Sequence, residues 1–221
     1  MKTKLLTSGL LILLLLGMIM SSSCSKDSDP IVEKPEESFD INNPEGYFLY
    51  FKGGGLFNSL YEFLPGKKVK THGLSSSDIS QYTVADNYID IEGGIGSVRF
   101  VFEGDSVSSP DPYYGHASLI KPSERNQLAG KAFTGAYYKI DMSVLHPNFF
   151  YSFAMDRNTV DVGFNLGSIV RTEDYTPIGN FAARIDLGNG DKEFIVLING
   201  KLEVNYRTAD REVYYGTLAQ Q

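Results

Sequence analysis

The run Phe194-Ile195-Val196-Leu197-Ile198-Asn199-Gly200-Lys201-Leu202-Glu203-Val204 decides the fold class. Two apolar, β-rich segments flank Asn-Gly, the dipeptide that supplies the positive φ angles of a type I′ hairpin turn. The same grammar recurs outward from this hairpin. Asn189-Gly190 marks a similar turn just before it. Val98-Arg99-Phe100-Val101-Phe102 runs into Glu103-Gly104-Asp105, Leu60 to Leu64 ends in Pro65-Gly66 before Lys68-Val69-Lys70, and the aromatic run Tyr47 to Lys52 meets Gly53-Gly54-Gly55. Apolar runs of five to eight residues punctuated by turn residues read as antiparallel strands. Past the amino-terminal segment no window carries a sustained helical period; a turn or two of helix is expected only between Pro122 and Leu128, where Pro suits a helix start. The chain is predicted to be all-β.

Composition agrees. Of 221 residues, 42% are hydrophobic, 13% aromatic and 21% charged, so most of the chain can bury a core. A single Cys excludes an intrachain disulfide framework and a cysteine zinc site. The net charge of −7 argues against nucleic acid as a partner, because neutralising phosphates takes clustered Lys and Arg.

The first 23 residues have a different character. Lys2 and Lys4 precede an apolar run from Leu5 to Met20, the length of a secretory core and short for a bilayer span. Ser21-Ser22-Ser23 then lead to Cys24, the only Cys. This arrangement resembles the lipobox of bacterial lipoproteins, although Ser21 stands where that family prefers Leu. The resemblance implies cleavage before Cys24 and diacylglyceryl modification of its thiol, with residues 1–23 as signal peptide. Loss of Lys2 and Lys4 takes the formal charge from −7 to −9. Ser25-Lys26-Asp27-Ser28-Asp29 resembles the acidic surface-export signal of Bacteroidota lipoproteins, which implies an outer-membrane, outward-facing location. Residues 24–44, with Pro30, Pro35 and Pro44 and a surplus of acids, read as an extended tether. The membrane is then a partner through the anchor on Cys24.

A faint internal repeat divides the rest into residues 45–121 and 128–221. Gly46-Tyr47-Phe48 corresponds to the stretch from Gly130 to Phe133, Phe63 to Phe153, Tyr82 to Tyr175, Asn87-Tyr88 to Asn180-Phe181, Phe100 and Phe102 to Phe194 and Val196, and Tyr113-Tyr114-Gly115 to Tyr214-Tyr215-Gly216. The separations rise from 84 through 90, 93 and 94 to 101, as loop insertions in the second copy require. This outline resembles the lipocalin-like, or calycin-like, domains of bacterial lipoproteins. The resemblance implies two tandem up-and-down antiparallel repeats, as two small barrels or one merged barrel, with a small apolar or amphipathic ligand inside. The family's Gly-x-Trp has no counterpart: Phe133 follows Gly130 by three residues, and the chain has no Trp.

Catalytic signatures are sparse. His72, His116 and His146 form no HxH or HExxH pattern, and neither a nucleophile elbow nor a Walker loop is present. Asp111 and His116 could meet as a carboxylate–imidazole pair, but a half-packed strand-edge His is the favoured reading. Gly93-Gly94-Ile95-Gly96 joins strands and opens no helix, so it cradles no phosphate. Asp186 to Glu193 offers oxygen ligands in alternation, yet Gly188 and Gly190 fall where an EF-hand needs ligands, and a polar hairpin loop accounts for the stretch. No metal or cofactor is assigned. The strongest remaining signal is three Tyr pairs, Tyr113-Tyr114, Tyr137-Tyr138 and Tyr214-Tyr215. Neighbours on a strand point to opposite faces, so each pair sets one ring inward and one outward. These six are the candidate ligand-binding residues.

The expected function is a lipid-anchored, non-catalytic envelope protein holding a small apolar or amphipathic ligand. An envelope protein–protein interaction module with filled barrels is the alternative, and a hydrolase using an unassigned carboxylate pair comes third. Cys24→Ser is expected to move the protein from the membrane fraction to the soluble fraction in detergent-free extracts; retention in the membrane would refute the anchor.

Overall fold

The structure, a computed structural model, describes residues 39–221 apart from 55, 75–77, 94, 95 and 105. The signal peptide, Cys24 and the tether as far as residue 38 lie outside the described residues, as do Gly94 and Ile95 of the glycine-rich turn. Every regular element among the described residues is a strand.

The first eight strands are β1 (Phe48–Gly53), β2 (Phe57–Leu64), β3 (Lys68–His72), β4 (Ile79–Ala85), β5 (Tyr88–Gly93), β6 (Gly96–Glu103), β7 (Ser106–Ser108) and β8 (His116–Ile120). Each pairs antiparallel with the next, and β8 returns to β1 with Phe48 opposite Ile120, closing a barrel. The second set is β9 (Ala132–Lys139), β10 (Val144–Phe153), β11 (Thr159–Asn165), β12 (Ser168–Asp174), β13 (Thr176–Ile178), β14 (Ala182–Asp186), β15 (Lys192–Ile198), β16 (Lys201–Arg207) and β17 (Val213–Gln220). Its order is β12-β11-β10-β9-β17-β16-β15-β14-β13, a nearly closed sheet with its gap between β12 and β13. Pro177 sits in β13, an edge strand, where its missing N–H breaks no ladder. Two tandem up-and-down barrels are thus the architecture.

Hydrogen bonds repeat between the copies. Gly46 N donates to Phe63 O and Phe63 N to Tyr47 O, both at 3.0 Å; Gly130 N donates to Phe153 O at 3.1 Å and Phe153 N to Lys131 O at 2.9 Å. Tyr82 N reaches Lys67 O at 3.0 Å and Tyr175 N reaches Asn158 O at 2.9 Å. Two correspondences read from sequence need correction. Phe102 N bonds Asn87 O, and its counterpart is Leu197 N bonding Phe181 O, so Phe102 answers to Leu197 and not Val196, and Asn87 to Phe181 and not Asn180. A shift of one residue on a strand exchanges faces. Phe100 and Phe102 fill the first interior, and Ile195 and Leu197 fill the second, while Phe194 and Val196 point the other way.

Where Phe194 and Val196 point is a seam between the barrels. They pack with Ile178, Phe181 and Ala182 against Phe48, Tyr50 and Leu60 on the outer faces of β1 and β2. Gly179, at φ +56°, lets Phe48 approach so closely that a Cβ would lie 2.7 Å from the ring. Buried polar contacts set the relative register. Asn58 N donates to Asn205 Oδ1 at 2.5 Å, Asn205 Nδ2 to Leu56 O at 2.9 Å, and Lys52 Nζ lies 2.8 Å from Glu203 Oε2.

The first barrel is packed and stoppered. Phe51, Tyr61, Phe63, Tyr82, Phe100 and Phe102 crowd its interior with Leu49, Val69, Ile89, Ile91 and Val107. At one end Phe39 stacks on Phe102 and meets Tyr47 edge-on, both with ring centroids 5.1 Å apart. The segment from Phe39 to Pro44, read from sequence as tether, is therefore part of the first packed unit; Phe39 and Ile41 supply the apolar side chains that the acidic composition obscured. Tyr114 covers the other end, 5.1 Å from Phe51 and 5.9 Å from Phe100.

The helical turn expected between Pro122 and Leu128 does not form. Its backbone is committed elsewhere: Arg125 N bonds Ser123 Oγ, Leu128 N bonds Asn126 Oδ1, and Gln127 N bonds Asn180 O. Such short polar side chains compete with helical hydrogen bonding. The segment instead tucks Leu128 under the second barrel.

Asn199 and Gly200 have φ values of 50° and 73°, as a type I′ turn requires. Space around Gly200 is open, so its substitution tests backbone strain alone. Gly200→Val is expected to cost about 1–2 kcal/mol, lowering Tm by roughly 2–8 °C in thermal unfolding. An unchanged Tm would remove the turn from the account.

Candidate functional site

The second barrel opens where the first is closed. Its turns 140–143, 166–167, 187–191 and 208–212 share one end, as the pairings of Lys139 with Tyr214, Asn165 with Ser168, and Lys192 with both Asp186 and Arg207 require. A cleft of about 370 Å³ enters there, walled by Leu145, His146, Phe149, Phe164, Tyr206 and Tyr214 and reaching Tyr137, Arg171 and Glu193.

Two strand irregularities build these walls. In β10 the pairing with β9 slips on both sides of His146, around Pro147 and Asn148, which redirects Leu145, His146 and Phe149. In β11 the pairing with β12 slips at Gly163, where a Cβ would stand 2.0 Å from Ser168 O. Phe164 follows immediately. Bulges of this kind bend a barrel rim and re-aim side chains. The result is an aromatic corner: His146 lies 4.6 Å from Phe164, and Phe149 lies 4.6 Å from Tyr137 and 5.6 Å from Phe164, centroid to centroid.

A polar network lies beneath. Glu193 shares the inward face of β15 with Ile195 and Leu197 and is 1% exposed. Its Oε1 accepts from Tyr151 Oη at 3.1 Å and from Arg171 Nη2, reaching across from β12. Tyr137 and Tyr151 share a hydrogen bond. Because the single Tyr151 proton goes to Glu193, Tyr137 donates to Tyr151 and keeps its own oxygen lone pairs. Burial, then the Glu193 charge, push both phenols well above their ordinary value, so both stay protonated donors. Glu193 Oε2 and Arg171 Nη1 are buried and make no hydrogen bond among the described residues, although Arg171 Nη1 lies 3.7 Å from Glu173 Oε1. Buried polar atoms left without a bond cost about 1–3 kcal/mol each, more when charged.

The six tyrosines fall in three places. Tyr137 and Tyr214 converge on the cleft. Their neighbours Tyr138 and Tyr215 stack on the outer face at 5.6 Å, fulfilling the alternation read from sequence. Tyr113 and Tyr114 lie before β8 rather than on a strand, and they belong to the first barrel: Tyr113 caps Gly53 and Tyr114 stoppers the interior. Sequence reading missed Arg171, Glu193, Tyr151 and Phe164. Glu193 carried a signal, as a lone acid sharing strand parity with Ile195 and Leu197. The side chain of His116 is outside the described residues; Asp111 accepts a hydrogen bond from Tyr113 N. In the 186–193 loop Asp191 bonds Asn189, Tyr206 and Ala209, Asp186 meets Lys192 at 3.2 Å, and Glu193 turns inward, so these carboxylates have protein partners.

The chain matches no protein family, no curated protein and no solved structure.

Burial raises the Glu193 carboxyl above its ordinary 4.5, with Arg171 drawing it part of the way back. The folded state therefore favours the protonated form. That contribution is fully present below 4.5 and is lost as pH rises through the raised folded value. Glu193→Gln cannot ionise, so denaturant titrations at stepped pH should show the variant gaining on the wild type as pH climbs from 4.5. A difference independent of pH would mean that Arg171 fully offsets burial.

Proposed function

We propose that this chain is a lipid-anchored cell-envelope protein whose second barrel binds a small amphipathic molecule, while the first barrel is a solid support. The observation that carries the reading is the cleft above Arg171 and Glu193. Its volume of about 370 Å³ lies in the range of small-molecule sites, its walls are aromatic and aliphatic, and its floor holds a few convergent polar groups. The buried oxygen and nitrogen without hydrogen bonds supply a reason for a ligand to bind there. The anchor rests on the lipobox-like run ending in Cys24 and the outer-membrane location on the acidic residues after it.

The exposed Ile140, Met142, Val144, Leu166, Ile169 and Val170, on the β9–β10 and β11–β12 hairpins beside the mouth, favour a second reading in which this end docks another envelope protein. Native mass spectrometry of the full chain, extracted in mild detergent from the cells that make it, separates the two. The binding reading expects a co-purifying mass of a few hundred daltons that is lost in Phe164→Asp. A bare polypeptide mass in the wild type would transfer the case to protein docking.

A further inference from the structure

We infer that the molecule held in the second barrel carries an uncharged head with an acceptor beside hydrogen-bond donors, of the carboxamide kind, seated on Arg171, Glu193 and Tyr137. This rests on the binding reading above and specifies the ligand class of the same cleft.

The argument is one of complementarity. Three polar groups at the cleft have unused hydrogen-bonding capacity. Arg171 Nη1 has protons to donate, Glu193 Oε2 has lone pairs to fill, and the Tyr137 oxygen has lone pairs because its proton is given to Tyr151. All three residues line the cleft. One donor and two acceptors call for a ligand with one acceptor and two donors, the inventory of a primary carboxamide. A carboxylate or phosphate head would answer Arg171 but meet the Glu193 charge at close range. An ammonium head would answer Glu193 but meet Arg171. Either charge would also be desolvated against Leu145, Phe149 and Phe164. Arg171 already pairs with Glu193 through the Nη2–Oε1 contact and has Glu173 Oε1 3.7 Å from its Nη1, so the floor leaves no lone charge waiting for an opposite head. A site built to hydrogen-bond a particular head rejects analogues strongly, since a mismatch leaves its buried groups unpaired.

The test uses four probes with one aromatic tail: 1-naphthaleneacetamide, 2-(1-naphthyl)ethanol, 1-naphthaleneacetate and 2-(1-naphthyl)ethylammonium. The protein has no Trp, so naphthyl fluorescence reports binding directly. In titrations of the full-length protein at neutral pH, the acetamide is expected to bind at least tenfold tighter than the acetate or the ammonium, with the alcohol between. Glu193→Gln removes the negative charge while keeping size and shape; the acetate should then gain at least tenfold on the acetamide. Phe164→Ala should weaken all four probes and leave their order unchanged. Equal affinities, or a preference for a charged head, would overturn the head-group inference and leave the binding reading standing. No binding by any probe, together with a charged head on the co-purifying molecule, would do the same. No binding by any probe and no co-purifying molecule would overturn both.

Discussion

Two strands are apolar on both faces, and the rest of the structure depends on them. In β1, Leu49 and Phe51 fill the first barrel while Phe48 and Tyr50 enter the seam. In β15, Ile195 and Leu197 fill the second barrel while Phe194 and Val196 enter the same seam from the other side. Burying a side chain of this size contributes about 1.5–3 kcal/mol, so each of these eight side chains works for one hydrophobic core or another. A small barrel standing alone would present such a strand to water. Side by side, each covers the other. The buried amides of Asn58 and Asn205 then make the seam specific, because an apolar surface alone would tolerate sliding.

The two copies put one fold to different ends. In the first, large rings meet across the interior and Tyr114 and Phe39 stop the ends. In the second, the slips around His146 and Gly163 splay the rim, and a charged pair lies beneath it, with Glu193 at the strand position that Val98 holds in the first. The seam lets this happen. A nearly closed sheet with a buried Glu is a poor independent folder, since the desolvation of its ion pair offsets much of the pair's attraction. Docked to a solid neighbour, it can carry that cost.

Much of this was legible in the amino acids. Asn199-Gly200 between β-rich runs specified its hairpin, and the alternation of Tyr137 with Tyr138 and of Tyr214 with Tyr215 specified their faces. The repeat was visible through Gly46 and Gly130 and through Phe63 and Phe153, whose backbone contacts do recur. The misplacement of Phe194 opposite Phe100 has a physical origin: a strand buried on both sides shows no alternation, so its register cannot be read from hydrophobicity. Phe39 was hidden among acids. The cleft was the least legible feature. It depends on bulges, which leave no simple sequence mark, and on Arg171 meeting Glu193 from a strand three places along the chain from β15.

The described chain enters at Phe39, beside Phe102, at the end of the first barrel away from Tyr114. The seam contacts place Phe48 against Phe181 and Asn58 against Asn205, so both barrels run in the same sense and the mouth of the second lies at the Tyr114 end. A force applied at Phe39 therefore acts on the sealed end of the first barrel. It loads the Phe39 stack and the Gly46–Phe63 hydrogen bonds before any residue of the cleft.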